Sequence, residues 1–435
     1  MSAEDVEVKK PKDVFPIRHV QTMMMFLALV ICYGMRVNMS IAIVVMTDKT
    51  LENSFDWSMQ TQSVILSSFF WGYIVLQIPA GEMAAKFGGM ILVTIAISVN
   101  ALVSLAVPLA AYYGGWQMVC ACRVIQGLAQ GFVVPSIYNL IGKWTPIDEK
   151  SRTGAVINSG SQLGNAIQLL ISGFIADAWG WPAIFYVNGV VGAVWVVLYI
   201  ILGSDSPQKS KLISAEERLY IQTSLGQVGG QKKLKTPWKA IWTSIPFISL
   251  IVLHCSQNWG YWTLMTEMPS YMKKVLDVDI KANGVMSALP YLAVYFLSFP
   301  FGYLSDYLPN KKYLSVTATR KLSNSIGKFL RSSHRSGWVI LVHLDMAPNY
   351  VGTLLGITNM AANIISIIAP LVAGVVLQDE TDPNEWRKVF YIASAVYIAG
   401  NTFYLIFGTS ERQKWNEPPE NENGEISTKS ADKEV

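Results

Sequence analysis

Ten long apolar stretches, separated by short polar connections, set the layout of the chain. They run over residues 20–46, 60–85, 90–112, 117–143, 153–176, 182–203, 244–270, 282–306, 351–378 and 387–408. A helix needs about 20 mostly apolar residues to cross the hydrocarbon core of a bilayer. Lipid offers no partner to an exposed backbone N–H or C=O, so each stretch predicts a membrane-spanning α-helix. The first 19 residues are too polar for a signal peptide and no small-residue cleavage pattern follows, so the first span is expected to be retained. The pattern divides the chain into a tail (1–19), a six-span half (20–203), a polar loop (204–243), a second half (244–408) and a second tail (409–435). In the loop, Ser214 with Glu217 three residues on is a capping-box pattern for a short helix; a solvated charge run is the other reading.

The two halves resemble each other. "WPAIFYV" (Trp181–Val187) matches "WRKVFYI" (Trp386–Ile392), and "GEMAAKFGG" from Gly81 matches "GYLSDYL" from Gly302, with Asp306 where the first copy has Ala85. Gly154 and Gly352 each open a span and each has an Asn eleven residues later, Asn165 and Asn363. Parallel repeats of this kind suit a transporter whose halves rock about a central site. The copies differ in length. From Gly81 to Gly154 is 73 residues, holding spans three and four, but from Gly302 to Gly352 is only 50, and these include seven Lys or Arg. Their one apolar piece, Gly337–Leu344, reaches about 12 Å as a helix, far short of a bilayer. The second half, abbreviated around 309–350, is therefore expected to have about four spans. The expected fold class is an all-α membrane bundle of two parallel repeats.

Composition agrees. Hydrophobic residues make up 51% of the 435 residues and charged ones only 15%, with a mean hydropathy of +0.33; soluble proteins carry about 25% charged residues. The net charge of +4 says less than its placement. Lys9, Lys10, Lys12 and Arg18 precede the first span, Lys143, Lys150 and Arg152 follow the fourth, and lysines crowd the central loop. Alternate connections carry Asp48, Glu52 and Asp56, or Asp379, Glu380, Asp382 and Glu385. The positive-inside rule then places both termini and the central loop in the cytoplasm. Cys32, Cys120, Cys122 and Cys255 all lie in apolar spans and read as packing residues rather than a disulfide or metal set.

Charges inside the spans are few. Arg36 and Arg123 lie in the first and fourth, Glu267 near the outer end of the seventh, and Glu82 and Asp306 at cytoplasmic ends. A charge at mid-bilayer costs at least about 2.5–3.5 kcal/mol, which marks a functional residue by default. Counted at about 1.5 Å per residue, Arg36 and Arg123 fall at similar depths in the outer half of the membrane. No Asp or Glu of the first six spans is at that depth. Two unpaired guanidiniums in one cavity make a receptor for carboxylate or phosphate. Snorkelling, hydrogen bonds to backbone carbonyls, and a structural pair with Glu267 are the other readings. Gln126 and Gln130 stand three and seven residues beyond Arg123, able to hydrogen-bond a ligand but not to titrate. Aromatics in "SFFWGY" (Ser68–Tyr73) and "NWGYW" (Asn258–Trp262) line the cavity or pack the core. No paired Asp, His-based metal cluster or nucleophile motif supports an enzyme.

The stretches "YGMRVNMSIAIV", "SFFWGYIVLQIPAG", "RVIQGLAQGFVVPS", "FPFGYLSDYL", "APNYVGTLLGITNMAANIISIIAPLVAG" and "EWRKVFYIASAVYIAGN" together resemble the sodium-dependent phosphate cotransporter family. That family includes sialin and the vesicular glutamate transporters, within the major facilitator superfamily, and the likeness is greatest to insect-type inorganic phosphate cotransporters. The resemblance implies a multi-pass transporter of the plasma membrane or of endomembrane vesicles. It implies twelve helices, alternating access, and a monomer carrying phosphate or a small organic anion with Na⁺ or H⁺ as coupling ion and no other cofactor. It maps the family's substrate-site arginines to Arg36 and Arg123. Where proton-linked members have a glutamate this chain has Gln130; their histidines fall at Leu66 and Tyr138, and the glutamate transporters' seventh-span arginine at Gln257. These departures favour a Na⁺-linked route for phosphate or an organic anion. Gly81, Lys86, Gly302, Asp306 and Glu267 are candidates for gating or structural roles. The two family helices between "RKLSNSIG" and "HLDMAPN" are missing, so the alternative reading is a shortened, transport-incompetent isoform, or a faulty join, acting through a full-length partner.

Overall fold

The computed structural model describes residues 16–416 except 52–53, 227–235, 312, 314, 316, 320, 323–341, 344 and 348–349. Among the described residues there is no strand. The helices are α1 (Ile17–Met46), α2 (Met59–Phe87), α3 (Gly89–Gln130), α4 (Val133–Trp144), α5 (Lys150–Trp179), α6 (Trp181–Leu202), α7 (Ala215–Gly226), α8 (Trp238–Thr243), α9 (Ile245–Lys274), α10 (Ile280–Asn310), α11 (Val351–Val376) and α12 (Pro383–Phe407). Every predicted span lies on a helix. Spans three and four are the two arms of α3, which turns at Gly115 (φ 62°, ψ −161°), with α4 continuing the second arm. α2 bends where Pro79 removes a helical donor. Among the described residues six elements are long and apolar enough to cross a membrane, and a seventh if bent α2 counts as one span. α5 and α9 are 30 residues each but more polar. α5 carries Gln162, Asn165, Gln168 and Ser172 on buried positions, as befits a helix that faces protein rather than lipid. Most of the expected short stretch at 309–350 lies outside the described residues.

Small residues set the helix contacts. α1 and α5 run parallel, with Gly160 against Phe26, Gly164 against Val30 and Gly34 against Gln168. α2 and the second arm of α3 approach through Gly72 and Gly127. A Cβ at Gly72 would meet the Val124 carbonyl, and one at Gly127 the Phe69 carbonyl. That contact brings Phe69 beside Arg36 and Arg123, and Tyr73 beside Arg36.

Among the described residues, the core shared by the two halves lies on one face of the bundle. On the face away from the termini, one core joins first-half residues such as Ile43, Phe70 and Trp181 to Trp262, Met265, Ala288 and Tyr291 of the second. Gly173 and Gly284 let α5 and α10 touch there. Among the described residues four polar contacts cross between the halves: Lys273–Asp48 (3.3 Å), Lys281–Asp177 (2.7 Å), Gln62 Nε2 to Glu380 (3.5 Å) and Asn165 Nδ2 to the Tyr261 hydroxyl (2.5 Å). On the terminal face the cores are separate. One gathers α1, the first arm of α3, α4, α6 and Ile221 of α7, and the other gathers Ile241, Phe247, Met346, Leu354 and Tyr404.

The predicted loop helix is α7. Ser214 accepts from the Glu217 N–H (3.2 Å), as a capping residue does. Glu217 itself turns to α1, accepting from the N–H groups of Ile17 (2.9 Å) and Arg18 (3.1 Å) and pairing with the Arg18 guanidinium (3.0 Å). α1 starts after Pro16 with no side-chain cap of its own. A carboxylate from the loop therefore satisfies its orphan donors.

Candidate anion site between the two halves

Arg36 is 6% exposed on α1, a little beyond mid-helix. Its Nη2 and Nε donate to Gln130 Oε1 at 3.2 and 3.4 Å. Aromatic rings surround the guanidinium: Tyr33 and Tyr73 with centroids at 4.5 Å, Phe69 at 4.9 Å and Trp262 at 6.0 Å. A cation over ring faces is attracted by their quadrupoles, most strongly where water is excluded. Three rings come from the first half and one from the second, so the cage closes only where the halves meet. Among the described residues Arg36 makes no ion pair.

Gln130 is held in turn. Its Nε2 donates to the Cys32 carbonyl (3.0 Å) and to Asn100 Oδ1 (3.1 Å), and Asn100 Nδ2 donates to the Ala96 carbonyl (2.8 Å). This fixes the amide with its oxygen toward Arg36. Asn100 was not singled out from the sequence; the available signal was an amide in the middle of an otherwise apolar span. Tyr33 was also missed, three residues before Arg36 and so on the same helix face.

Arg123, 2% exposed, lies beside Arg36 but is bound differently. Its Nη2 donates to the Arg36 carbonyl (2.9 Å) and Nη1 to the Met35 carbonyl (3.3 Å) and Gln126 Oε1 (3.4 Å), with Phe69 beneath it at 5.0 Å. The backbone-carbonyl reading left open above is the arrangement observed. Gln126 Nε2 donates to Ser104 (3.1 Å).

The other candidates are spread out. Tyr138 on α4 is 40% exposed and accepts from Asn158 Nδ2 (3.0 Å), nearer the terminal face. Gln257 is half-buried on α9, five residues toward that face from Trp262. Gly81 has open space around it and Lys86 is exposed, both past the bend of α2. Gly302 and Asp306 lie on α10 where side chains are outside the description. Glu267 is fully buried and pairs with neither arginine. The four cysteines are free, and among the described residues no His, Cys, Asp or Glu cluster could hold a metal.

A family model described as Major Facilitator Superfamily matches residues 24–323. A "Putative inorganic phosphate cotransporter" of Drosophila melanogaster is 37% identical over 471 aligned residues, covering 95% of this chain and 89% of its own length. Human "Sialin" is 34% identical (92% and 90% covered) and human "Vesicular glutamate transporter 2" is 31% identical (93% and 76% covered). The aligned lengths exceed the chain, so these relatives carry residues it lacks. Among solved structures, a bacterial homologue of the human lysosomal transporter Spinster, inward-facing and unoccupied, superposes with a TM-score of 0.68 at 11% identity (91% of this chain, 97% of that one). The inward-open xylose transporter XylE of E. coli gives 0.63 at 12% identity (90% and 96%).

Proposed function

The chain belongs to the Major Facilitator Superfamily, and on that premise we propose that it is a symporter of inorganic phosphate or a small organic anion, driven by a Na⁺ or H⁺ gradient through alternating access. One observation carries the substrate class: a buried guanidinium, Arg36, with an aromatic cage and a neutral amide but no carboxylate among the described residues around it. Such a group attracts an anion strongly because water does not screen the interaction. The planar fork of arginine matches a carboxylate or phosphate edge with two parallel hydrogen bonds. The anion takes the place of Gln130 Oε1, while the Asn100 and Cys32 partners keep the amide close. Neither Gln130 nor Asn100 titrates, so the site favours the anion across the physiological pH range. The curated relatives named for phosphate and glutamate support the same substrate class.

The lysine and arginine placement supports a cytoplasmic terminal face. The halves pack on the opposite face and keep separate cores on the terminal one, so this arrangement is the state with the site open to the cytoplasm. Rocking about α1, α5, α9 and α10 exposes Arg36 to the other side. Trp262, carried by the second half, would leave or rejoin the cage as it does so.

The test is counterflow of labelled phosphate or glutamate in proteoliposomes. The chain should exchange at least one of the two, and Arg36→Ala should abolish exchange while the protein stays folded. A folded chain with no exchange, or an unaffected Arg36→Ala, would sink the proposal.

A further inference from the structure

Glu267 has no role in the site described above, and its surroundings are unusual for a carboxyl group. It is fully buried in α9, about 7.5 Å along the helix from Trp262 on the side where the halves are closed. Its Oε1 lies 3.0 Å from Thr266 Oγ1, and Oε2 has no hydrogen-bond partner. Thr266 Oγ1 is also 2.9 Å from the Trp262 carbonyl. A threonine hydroxyl has one hydrogen and a carbonyl has none. When that hydrogen serves the carbonyl, the short contact between Thr266 and Glu267 needs a further positive centre. Two residues on, Pro269 lacks an N–H, so the Met265 carbonyl loses its usual helical donor.

No basic side chain supplies that centre among the described residues. On α1 Arg18 pairs with Glu149 and Glu217 at the terminal end, and Arg36 is bound to Gln130 and its cage. On α9 itself, Lys273 pairs with Asp48 and Asp277, and Lys274 with Glu380. On α10 Lys281 pairs with Asp177. On α12 Arg387 donates to Asn384, and Lys388 makes no ion pair with Glu267. α11 has no charged residue, and Lys239 of α8 packs at the opposite end of α9. Tyr271, one turn on, meets Trp386 and Phe390 of α12 edge to face.

We propose that Glu267, with the Thr266 hydroxyl, is the binding site of the coupling cation, a proton or Na⁺, and that the closed far side forms when the site is filled. A buried carboxylate with no counter-charge is strongly disfavoured, and a small monovalent cation removes that penalty without needing a basic residue. The site lies on the stripe of α9 that faces α12, where Gly260 meets Tyr397 and Ser256 meets Gly400. The same helix carries Trp262 into the Arg36 cage. Filling Glu267 therefore sets how α9 seats, and Trp262 passes that to the anion. The inference rests on the symporter reading, and two readouts keep the two separable.

In proteoliposomes, labelled phosphate and glutamate are followed under an inward proton gradient, an inward Na⁺ gradient, and in counterflow. One gradient should drive accumulation at least tenfold by the unaltered chain, and it names the cation. Glu267→Gln should lose that accumulation while keeping counterflow, and Glu267→Asp should restore part of it. In detergent, the melting temperature of the unaltered chain should shift with Na⁺ or with pH, and that shift should be absent from Glu267→Gln. Accumulation by Glu267→Gln equal to that of the unaltered chain overturns the site. So does an identical Na⁺ and pH response of the two melting temperatures, whether or not the chain transports. Absent counterflow with a Glu267-dependent melting shift overturns the symporter reading instead and keeps the cation site. If Glu267→Gln does not fold, Glu267→Asp must show a weakened cation response in both assays, and an unchanged response overturns the site.

Discussion

Arg36 and Arg123 are both permanent cations buried at the same level of the bundle, yet they do different work. Arg123 donates to two consecutive carbonyls of α1, so it fastens the second arm of α3 to the helix that carries Arg36. Arg36 faces rings, the neutral amide oxygen of Gln130 and the Tyr73 hydroxyl. Their partners separate them: four rings and a side-chain amide around Arg36, one ring and two backbone carbonyls around Arg123. A guanidinium whose donors meet fixed backbone carbonyls is a structural tie. One whose best partner is a side-chain oxygen, here Gln130 Oε1, can exchange that partner for a ligand. On the proposed function, the pair is an anion receptor with a structural support behind it rather than two equal jaws.

The sharpest way to break this comparison is to remove each arginine and read both transport and stability. Arg36→Ala should lower anion counterflow on the order of 100-fold or more, the size of two charge-assisted hydrogen bonds, with a small change in melting temperature. Arg123→Ala should lower stability by about 1–3 kcal/mol, seen as a reduced melting temperature and less folded protein in detergent. If Arg123→Ala stays fully stable and loses transport alone, the two residues are equals after all. Next in size is Gln130→Glu, which sets a carboxylate within hydrogen-bond reach of Arg36. It should weaken anion binding on the order of tenfold at neutral pH, with recovery on acidification as the new carboxylate is protonated. Trp262→Ala takes away the one ring the second half lends to the cage. A several-fold loss of affinity is expected from a cation–π contact of about 0.5–2 kcal/mol.

The smallest effect lies at the polar seam between the halves. Burial raises the Asp48 pKa, but hydrogen bonds from Thr50 and the charge and hydrogen bond of Lys273 outweigh it, and the net shift is downward from the usual 3.8. A carboxylate with a depressed pKa in the closed state adds stability above its ordinary pKa and loses it as pH falls through the depressed one. The seam should thus hold unchanged between pH 7 and 5. Asp48→Asn should alter transport rates less than about fivefold, as expected of a partly exposed ion pair. A change larger than that from Arg36→Ala would move the control of transport from the cage to the seam.

Much of this was legible in the chain itself. Apolar length gives the spans, because a bilayer of fixed thickness leaves few alternatives to a helix of about 20 residues. Every predicted span has its helix, and the capping signal at Ser214 marks the start of α7. Arg36, Arg123, Gln126 and Gln130 stood out because charge and amide are costly inside a span. Three things depended on long-range packing. Gly72 and Gly127 let α2 press against α3, which brings Phe69 and Tyr73 to the arginines. Glu217, read locally as half of a capping box, leaves its own helix to cap α1, 200 residues away in sequence. The division of labour between the arginines was decided last, because hydrogen-bond directions depend on side-chain placement to a fraction of an ångström. The sequence by itself determined that two guanidiniums would be buried at one depth without a carboxylate from the first half. Only the tertiary structure decided which of them is tied to the backbone and which faces a side-chain amide and a ring cage, because those partners come from helices far apart in sequence.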